Sequence, residues 1–533
     1  MAHNSSRPVY DVLRSALFGA VIIPVLLSCG GGSDATGSNN RVSARTSGDN
    51  NTGTDTGWTA GVFLPASAYA GRCVTPVAGT RDVAGTATDE NNFLRSYSND
   101  TYLWYDEIID RDPAQFSTAA YFDLLRTDTR TPSGNFKDKY HFTIPTDEWN
   151  AFSQTGIAVG YGVQFAILQS MIPRQVLVAY TEPDTPADDA NLERGTQILT
   201  VDGVDVANGN VEALNAGMFP ETAGESHTFR VRDRNGTERT ITMDSQVITS
   251  TPVQNVSRIA TLTGSVGYLL FNDHAATAES GLYNAVTQLA SAGITDLVVD
   301  VRYNAGGFLD IASEFAYMIA GARLTAGRAF ESLKFNAKHP LVNPVTMQTL
   351  QPVPFHTHSQ GFDPMLPQGS VLPTLNLSRV YILTGRDTCS ASESIINSLR
   401  GVDVQVIQIG STTCGKPYGF YPTNNCGTTY FTIQFQGVNA KGFGDYPDGF
   451  SPANATSNIG TVIPGCSVRD DFSKDLGDPA EARLSAALTH SVTGACPFAS
   501  GFSRSWSLLL TELPAGEMVV PKATSLQNRI MRP

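Results

Sequence analysis

The chain has 533 residues, enough for roughly two to four domains, and 41% of them are apolar, which is ample for buried cores. Only 16% are charged and the formal net charge is −14. That balance excludes the long-range attraction to phosphate backbones that Lys/Arg-rich surfaces provide, so nucleic acid is not an expected partner.

At the N-terminus, Arg7 and Arg14 accompany an apolar stretch, Ala16 to Leu27, that is too short for an ordinary transmembrane helix. The stretch ends Leu26-Leu27-Ser28-Cys29-Gly30, which resembles a bacterial lipobox with a less usual residue at Leu27. The resemblance implies a signal peptide over 1–28, cleavage before Cys29 and lipidation of Cys29. Residues 29–57 change sharply to Gly, Ser, Thr, Asn and Asp without apolar period, the composition of a flexible tether. No later apolar run is long enough to cross a membrane. The expected protein is a soluble body lipid-anchored in the cell envelope. Gly30 after the cysteine resembles lipoproteins sent to the outer membrane, facing the periplasm or the cell surface.

Apart from Cys29, six cysteines remain: Cys73, Cys389, Cys414, Cys426, Cys466 and Cys496. An even number in an oxidising compartment predicts disulfides. Cys414 and Cys426, which bracket Lys416 across a Gly/Pro/Asn-rich loop, are the expected local pair. No Cys-x-x-Cys or His-x-x-x-His spacing occurs, so neither a metal site nor a cofactor is expected.

Residues 86–148 read as a small N-terminal helical domain. Asn91 to Tyr97, Leu103 to Ile109 and Ala119 to Leu125 each carry apolar residues at helical spacing. Over 149–250 the pattern turns to strands. Gly160 to Phe165 begins one, Gln175 to Tyr180 forms another, and Ile198 to Val201 ends in the tight turn Asp202-Gly203. His227 to Arg232 and Thr237 to Met243 make a hairpin across Asp233-Arg234-Asn235-Gly236. The ordered set Thr185-Pro186-Ala187, Leu192, Arg194-Gly195-Thr196-Gln197-Ile198 and Val201-Asp202-Gly203 resembles a PDZ domain. That likeness puts Gly160, Tyr161, Gly162 and Val163 at the loop where backbone N–H groups receive a peptide's C-terminal carboxylate.

From 251 to 480 strands and helices alternate, an α/β pattern. Val266 to Phe271, Asp296 to Val301, Val380 to Leu383 and Val404 to Ile409 are apolar strands. Ala278 to Ala292, Leu309 to Ile319 and Ser394 to Leu399 are helical. Residues 322–378 show little periodicity and many prolines, the pattern of an insertion or lid. Residues 481–533 form a C-terminal segment.

Three segments follow these strands: Asp300-Val301-Arg302-Tyr303-Asn304-Ala305-Gly306-Gly307, Ser390-Ala391-Ser392-Glu393 and Gly415-Lys416. In parallel sheets the strand C-termini share one edge, so the three segments are expected to converge. A serine needs a base to act as a nucleophile, and a buried lysine can supply one because burial disfavours the ammonium. Ser390 is the candidate nucleophile and Lys416 the candidate base. The N–H groups of Gly307 and Ala391 are the candidate oxyanion donors. Taken alone, Ser390 with Glu393 has the spacing of a capping box. The three segments together resemble the C-terminal processing peptidase family, the tail-specific serine proteases, a likeness running over about residues 90–480.

That resemblance implies an α/β protease core, a mixed sheet with helices, with an inserted β-rich PDZ domain and a small N-terminal helical domain. It implies hydrolysis of peptide bonds in exported proteins, with protein or peptide substrates captured by their C-terminal tails. The sequence departs from the family in two places. The Ser-to-Lys interval is one residue longer, and the helper glutamine four residues after the lysine is Phe420. Tyr418 or a more distant Asn or Gln is the expected replacement. His274 reads as a polar loop histidine, with the serine's base in a tricorn-type arrangement as its other reading. Phe420 also keeps open a catalytically silent, PDZ-bearing peptide-binding lipoprotein of the same fold.

Overall fold

The computed structural model describes residues 58–456 and 459–497, and the backbone of 529–530. The expected signal peptide, Cys29 and the tether lie outside the described residues.

The central sheet has six strands in the order Val253–Thr261, Gly264–Phe271, Asp296–Asp300, Arg379–Thr384, Gln405–Gly410 and Gly465–Ser467. The first pair is antiparallel and the remaining pairs are parallel, so the sheet is mixed. Its inner strands are nearly continuous apolar runs because both faces are covered. Leu269, Leu297, Val299, Ile382 and Val406 point to one face, where they pack on Leu282, Ile311, Phe315, Ile395 and Leu399. These come from the helices Ala278–Ser291, Leu309–Ala320 and Ala391–Gly401. The alternate residues Leu270, Val298, Leu383 and Ile407 turn to the other face and meet Leu484 and Ala487 of the helix Ala482–Thr493.

A β-rich module precedes this sheet. Strands Val163–Gln169, Gln175–Thr181, Gln197–Val201, Ser226–Arg232 and Glu238–Asp244 pair antiparallel. With the helix Val211–Met218 they enclose a core of their own around Phe165, Val178, Leu214 and Phe229.

Near the N-terminus, the helix Ala87–Thr101 opens with a capping box between Thr86 and Asp89. The helix Thr118–Asp123 packs beside it. Leu103 to Ile109 is not a helix. Only a 3₁₀ turn, Tyr105–Glu107, forms there. Tertiary contacts override the local period: Leu103 N–H donates to Ile433 O at 2.8 Å and Tyr102 is fully buried.

Within 322–378, the strand Ala329–Lys334 pairs with Phe435–Val438. The loop beyond is held by Glu279, which accepts the N–H groups of Gln360, Gly361, Phe362 and Asp363 at 2.6 to 2.9 Å, and by Glu314, which also accepts Gln360 N–H at 2.8 Å.

The bridges are Cys73–Cys426, Cys389–Cys414 and Cys466–Cys496, which corrects the expected Cys414–Cys426 pair. Cys426 sits at a hairpin turn between Thr423–Asn425 and Thr428–Phe431. There it meets Cys73, with 5.3 Å between their Cα atoms. Cys414 is drawn the other way, because its N–H donates to Thr388 O at 3.0 Å, one residue before Cys389.

Candidate active site

The strands Asp296–Asp300, Arg379–Thr384 and Gln405–Gly410 run parallel, so the three segments that follow them leave one edge of the sheet side by side. Asn304 locks the first to the second. Its carbonyl accepts Cys389 N–H and the Ser392 hydroxyl, each at 3.1 Å, and its Oδ1 accepts Gly306 N–H at 2.9 Å. The turns that carry Gly307 and Ala391 are thereby held against one another.

Ser390 stands at the start of the helix Ala391–Gly401 with φ 61°. A non-glycine residue there costs on the order of 1–3 kcal/mol and persists only where surrounding bonds hold it. Glu393 accepts Ser390 N–H at 2.9 Å, and Ser390 O accepts Ser394 N–H at 2.9 Å. Ser390 Oγ is fully buried and has no hydrogen-bond partner among the described residues. The hydroxyl is therefore not spent on capping the helix. The spacing forms a capping box in which Glu393 accepts Ser390 N–H, while Ser390 Oγ faces Glu393 N–H without completing a hydrogen bond.

Lys416 is also fully buried. Its Nζ lies 4.7 Å from the centre of the Tyr140 ring and 4.4 Å from that of Phe420. Burial pushes the amine down to about 7, against the opposing attraction of Asp138 and Glu393. The residue that stands where a glutamine was expected thus lays an aromatic ring against the amine. Tyr418 instead packs edge-on against Trp104 at 4.7 Å. Tyr140 comes from a stretch read only as part of a helical region, and its hydroxyl donates to Gly415 O at 3.0 Å.

Glu393 ties the second segment to the third. Besides Ser390 N–H it accepts Gly415 N–H at 2.9 Å, Lys416 N–H at 2.8 Å and the Thr413 hydroxyl at 2.5 Å. Gly415 is required here. At φ 84°, a Cβ would lie 2.3 Å from Pro447 O.

Gly307 has φ 143°, and a Cβ on it would lie 2.7 Å from His274 Cβ. His274 is a fully buried wall of this turn. Its Nδ1 lies 3.0 Å from Asn304 Oδ1, and Nε2 has no hydrogen-bond partner among the described residues. The Asn304 amide oxygen as acceptor requires the proton on Nδ1, which leaves Nε2 as a lone pair. Burial pushes the ring down to about 3, so it is neutral. On the open side of Gly307, the backbone of Arg529–Ile530 lies as a short parallel strand against Gly307–Phe308.

Gly160, Tyr161, Gly162 and Val163 are not in this cluster. They line a separate cleft, with Phe165, Met218 and Phe219 beside them. Gly162 has φ 75°, and a Cβ there would lie 2.4 Å from Thr185. Glu182 and Asp273 also line the cleft, and burial raises them to about 7 and about 8. Asp273 adjoins His274, so the cleft reaches the wall of the Ser390 cluster within one residue.

Residues 265–421 match the model of peptidase family S41. A carboxyl-terminal-processing protease of Picosynechococcus sp. is 29% identical over 166 residues, 31% of this chain and 39% of that protein. The chloroplastic carboxyl-terminal-processing peptidase 1 of Arabidopsis thaliana is 30% identical over 38% of this chain and 43% of that protein. The chain thus aligns with about two fifths of the length of these relatives. The crystal structure of an S41 protease from Bacteroides fragilis superposes with a TM-score of 0.56 at 21% identity, covering 75% of this chain and 96% of that one. That likeness bears on the fold alone. The span that matches the S41 family model carries Gly307, Ser390 and Lys416.

Proposed function

We propose that the protein is a serine endopeptidase working through a Ser390–Lys416 dyad. The observation that carries this is that a buried Ser390 hydroxyl without a hydrogen-bond partner and a buried Lys416 amine lowered to about 7 stand on two segments whose backbone N–H groups both donate to Glu393 at one sheet edge. Neutral Lys416 takes the proton as Ser390 Oγ attacks the peptide carbonyl. The N–H groups of Gly307 and Ala391 receive the oxyanion. Lys416 then gives its proton to the departing amine, and water, deprotonated by the same amine, releases the acyl group. The short strand beside Gly307–Phe308 supports the reading, since it is the way an extended peptide pairs with this turn.

The test is digestion of an unfolded protein ending in apolar residues, with fragments identified by mass spectrometry. Internal cleavage is expected. Saturable binding without any fragment would instead establish the silent peptide-binding protein.

The module over 149–250 is proposed to be a PDZ domain that captures C-terminal tails in the cleft at Gly160–Val163. Phe165, Met218 and Phe219 make the cleft apolar, which suits an apolar last residue. Phe219→Asp is expected to raise KM for a tailed substrate about tenfold with kcat within twofold, since one apolar side-chain contact is worth about 1–3 kcal/mol. Equal KM values would remove the cleft from substrate capture.

The chain is also proposed to be a lipoprotein of the outer membrane, anchored through Cys29. Cys29→Ser should move the protein from the membrane to the soluble fraction, and continued membrane retention would refute lipidation there.

A further inference from the structure

The bridge Cys389–Cys414 joins the residue directly before the candidate nucleophile to the residue two before the candidate base. Its Cα atoms are 5.2 Å apart. The two loops it clamps are also joined by Cys414 N–H to Thr388 O and by Glu393. Glu393 Oε2 receives both Ser390 N–H and Lys416 N–H, and Cys414 Sγ stands 3.4 Å from that same oxygen. Cys389 is fully buried and Cys414 only partly, so Cys414 is the nearer of the two to solvent.

We propose that Cys389–Cys414 is a redox gate on the active site: intact it positions Ser390 against Lys416, and its reduction switches catalysis off without unfolding the protein. The inference rests on the dyad reading above. The reductant is a dithiol, small or protein-borne. Its thiolate attacks Cys414 Sγ and Cys389 Sγ leaves. The second thiol of the reductant then closes its own disulfide, and both cysteines end protonated. Two electrons pass from the dithiol to the bridge. Two changes follow at Glu393. The covalent limit on loop separation is gone, and Cys414 now carries an S–H beside Oε2, a donor that competes with the two backbone N–H groups aligning nucleophile and base. The nucleophile is held at a positive φ by those same bonds, so their loss lets Ser390 relax away from its attacking position. A misplacement of about 1 Å in such a site costs about 10²-fold in rate.

Loss of a bridge that only adds stability would lower the melting temperature and leave kcat unchanged well below it. The test therefore compares the oxidised full chain with Cys389→Ala/Cys414→Ala, and with Cys466→Ala/Cys496→Ala as a control bridge. Two quantities are read: kcat and KM on a peptide, and hydrogen exchange of the amides of 411–419. The Cys389→Ala/Cys414→Ala chain is expected to lose about 10²-fold in kcat with KM within about twofold. Its Gly415 and Lys416 amides should exchange about tenfold faster or more, while Asp296–Asp300 and Arg379–Thr384 stay protected. A mild dithiol should do the same to the parent chain and nothing further to that variant, and the control should keep the parent's kcat. Parent-like kcat and exchange in the variant would overturn the gate, as would loss of protection throughout the sheet. If the oxidised parent cleaves nothing, the peptidase reading falls. Exchange then decides the gate's mechanical half alone: faster 411–419 amides sustain it, and unchanged amides overturn it.

Discussion

Ser390→Ala and Lys416→Met are each expected to abolish the proposed peptide cleavage, with kcat/KM falling by about 10⁴-fold or more, because each removes one member of a unit that acts together. Alanine leaves no atom to attack the carbonyl. Methionine keeps the bulk between Tyr140 and Phe420 but can take no proton. Neither change should cost stability. Burial lowers the folded amine from its ordinary 10.5 to about 7, so between those values the unfolded chain binds the extra proton. Stability of the parent therefore rises with pH across that window, and below about pH 7 the buried charge is a net cost. Lys416→Met removes that cost, so its melting temperature at pH 6 should equal or exceed the parent's. The parent's kcat/KM should climb about tenfold per pH unit below 7 and level off above it, because only the neutral amine serves as base. A pH-independent rate, or a Lys416→Met protein that still cleaves, would remove the lysine from the chemistry. If His274 with its bare Nε2 were the base instead, His274→Ala would abolish the rate and Lys416→Met would not.

Arg302→Met is expected to give the largest loss of stability. Arg302 is buried and donates to Asp300 at 2.8 Å, to Glu481 at 2.8 Å and to Asp470 at 2.6 Å. Asp300 and Glu481 have no exposure of their own. Methionine would leave two buried carboxylates without their cation, a change that costs about 3–5 kcal/mol. The effect reaches beyond the sheet. Asp470 also receives Arg194 from the β-rich module at 2.6 Å and the Tyr303 hydroxyl at 2.5 Å, and the surrounding arginines hold its carboxyl far below the usual range. The same network thus ties the module's Arg194 to the segment that leads into Gly307. Denaturant melts of Arg302→Met should show that loss, together with a reduced kcat. An unchanged midpoint would mean that the network contributes nothing net.

Much of this was legible in the chain. The inner strands and covering helices announced themselves because their apolar periods are local properties of consecutive residues. Asp300–Gly307, Ser390–Glu393 and Gly415–Lys416 could be picked out because each follows a strand, and parallel strands bring their C-termini to one edge. The cleft loop at Gly160–Val163 was marked by its glycines, which the backbone requires at Gly162.

What surrounds Ser390 and Lys416 was not legible, because it is assembled from residues far apart in the chain. Nothing in a local pattern says that Tyr140 and Phe420 will flank one amine, or that His274 will be buried against Gly307. The cysteine count predicted bridges, but their pairing depends on which loops the sheet edge brings together, so Cys389 met Cys414 and Cys426 met Cys73. Leu103 to Ile109 kept a helical period and still lost its helix to a non-local backbone bond. The sequence by itself determined the elements and the chemical types at their ends. Tertiary structure decided the neighbours, and neighbours set the burial that brings Lys416 near neutrality and the bonds that hold Ser390 at a strained φ.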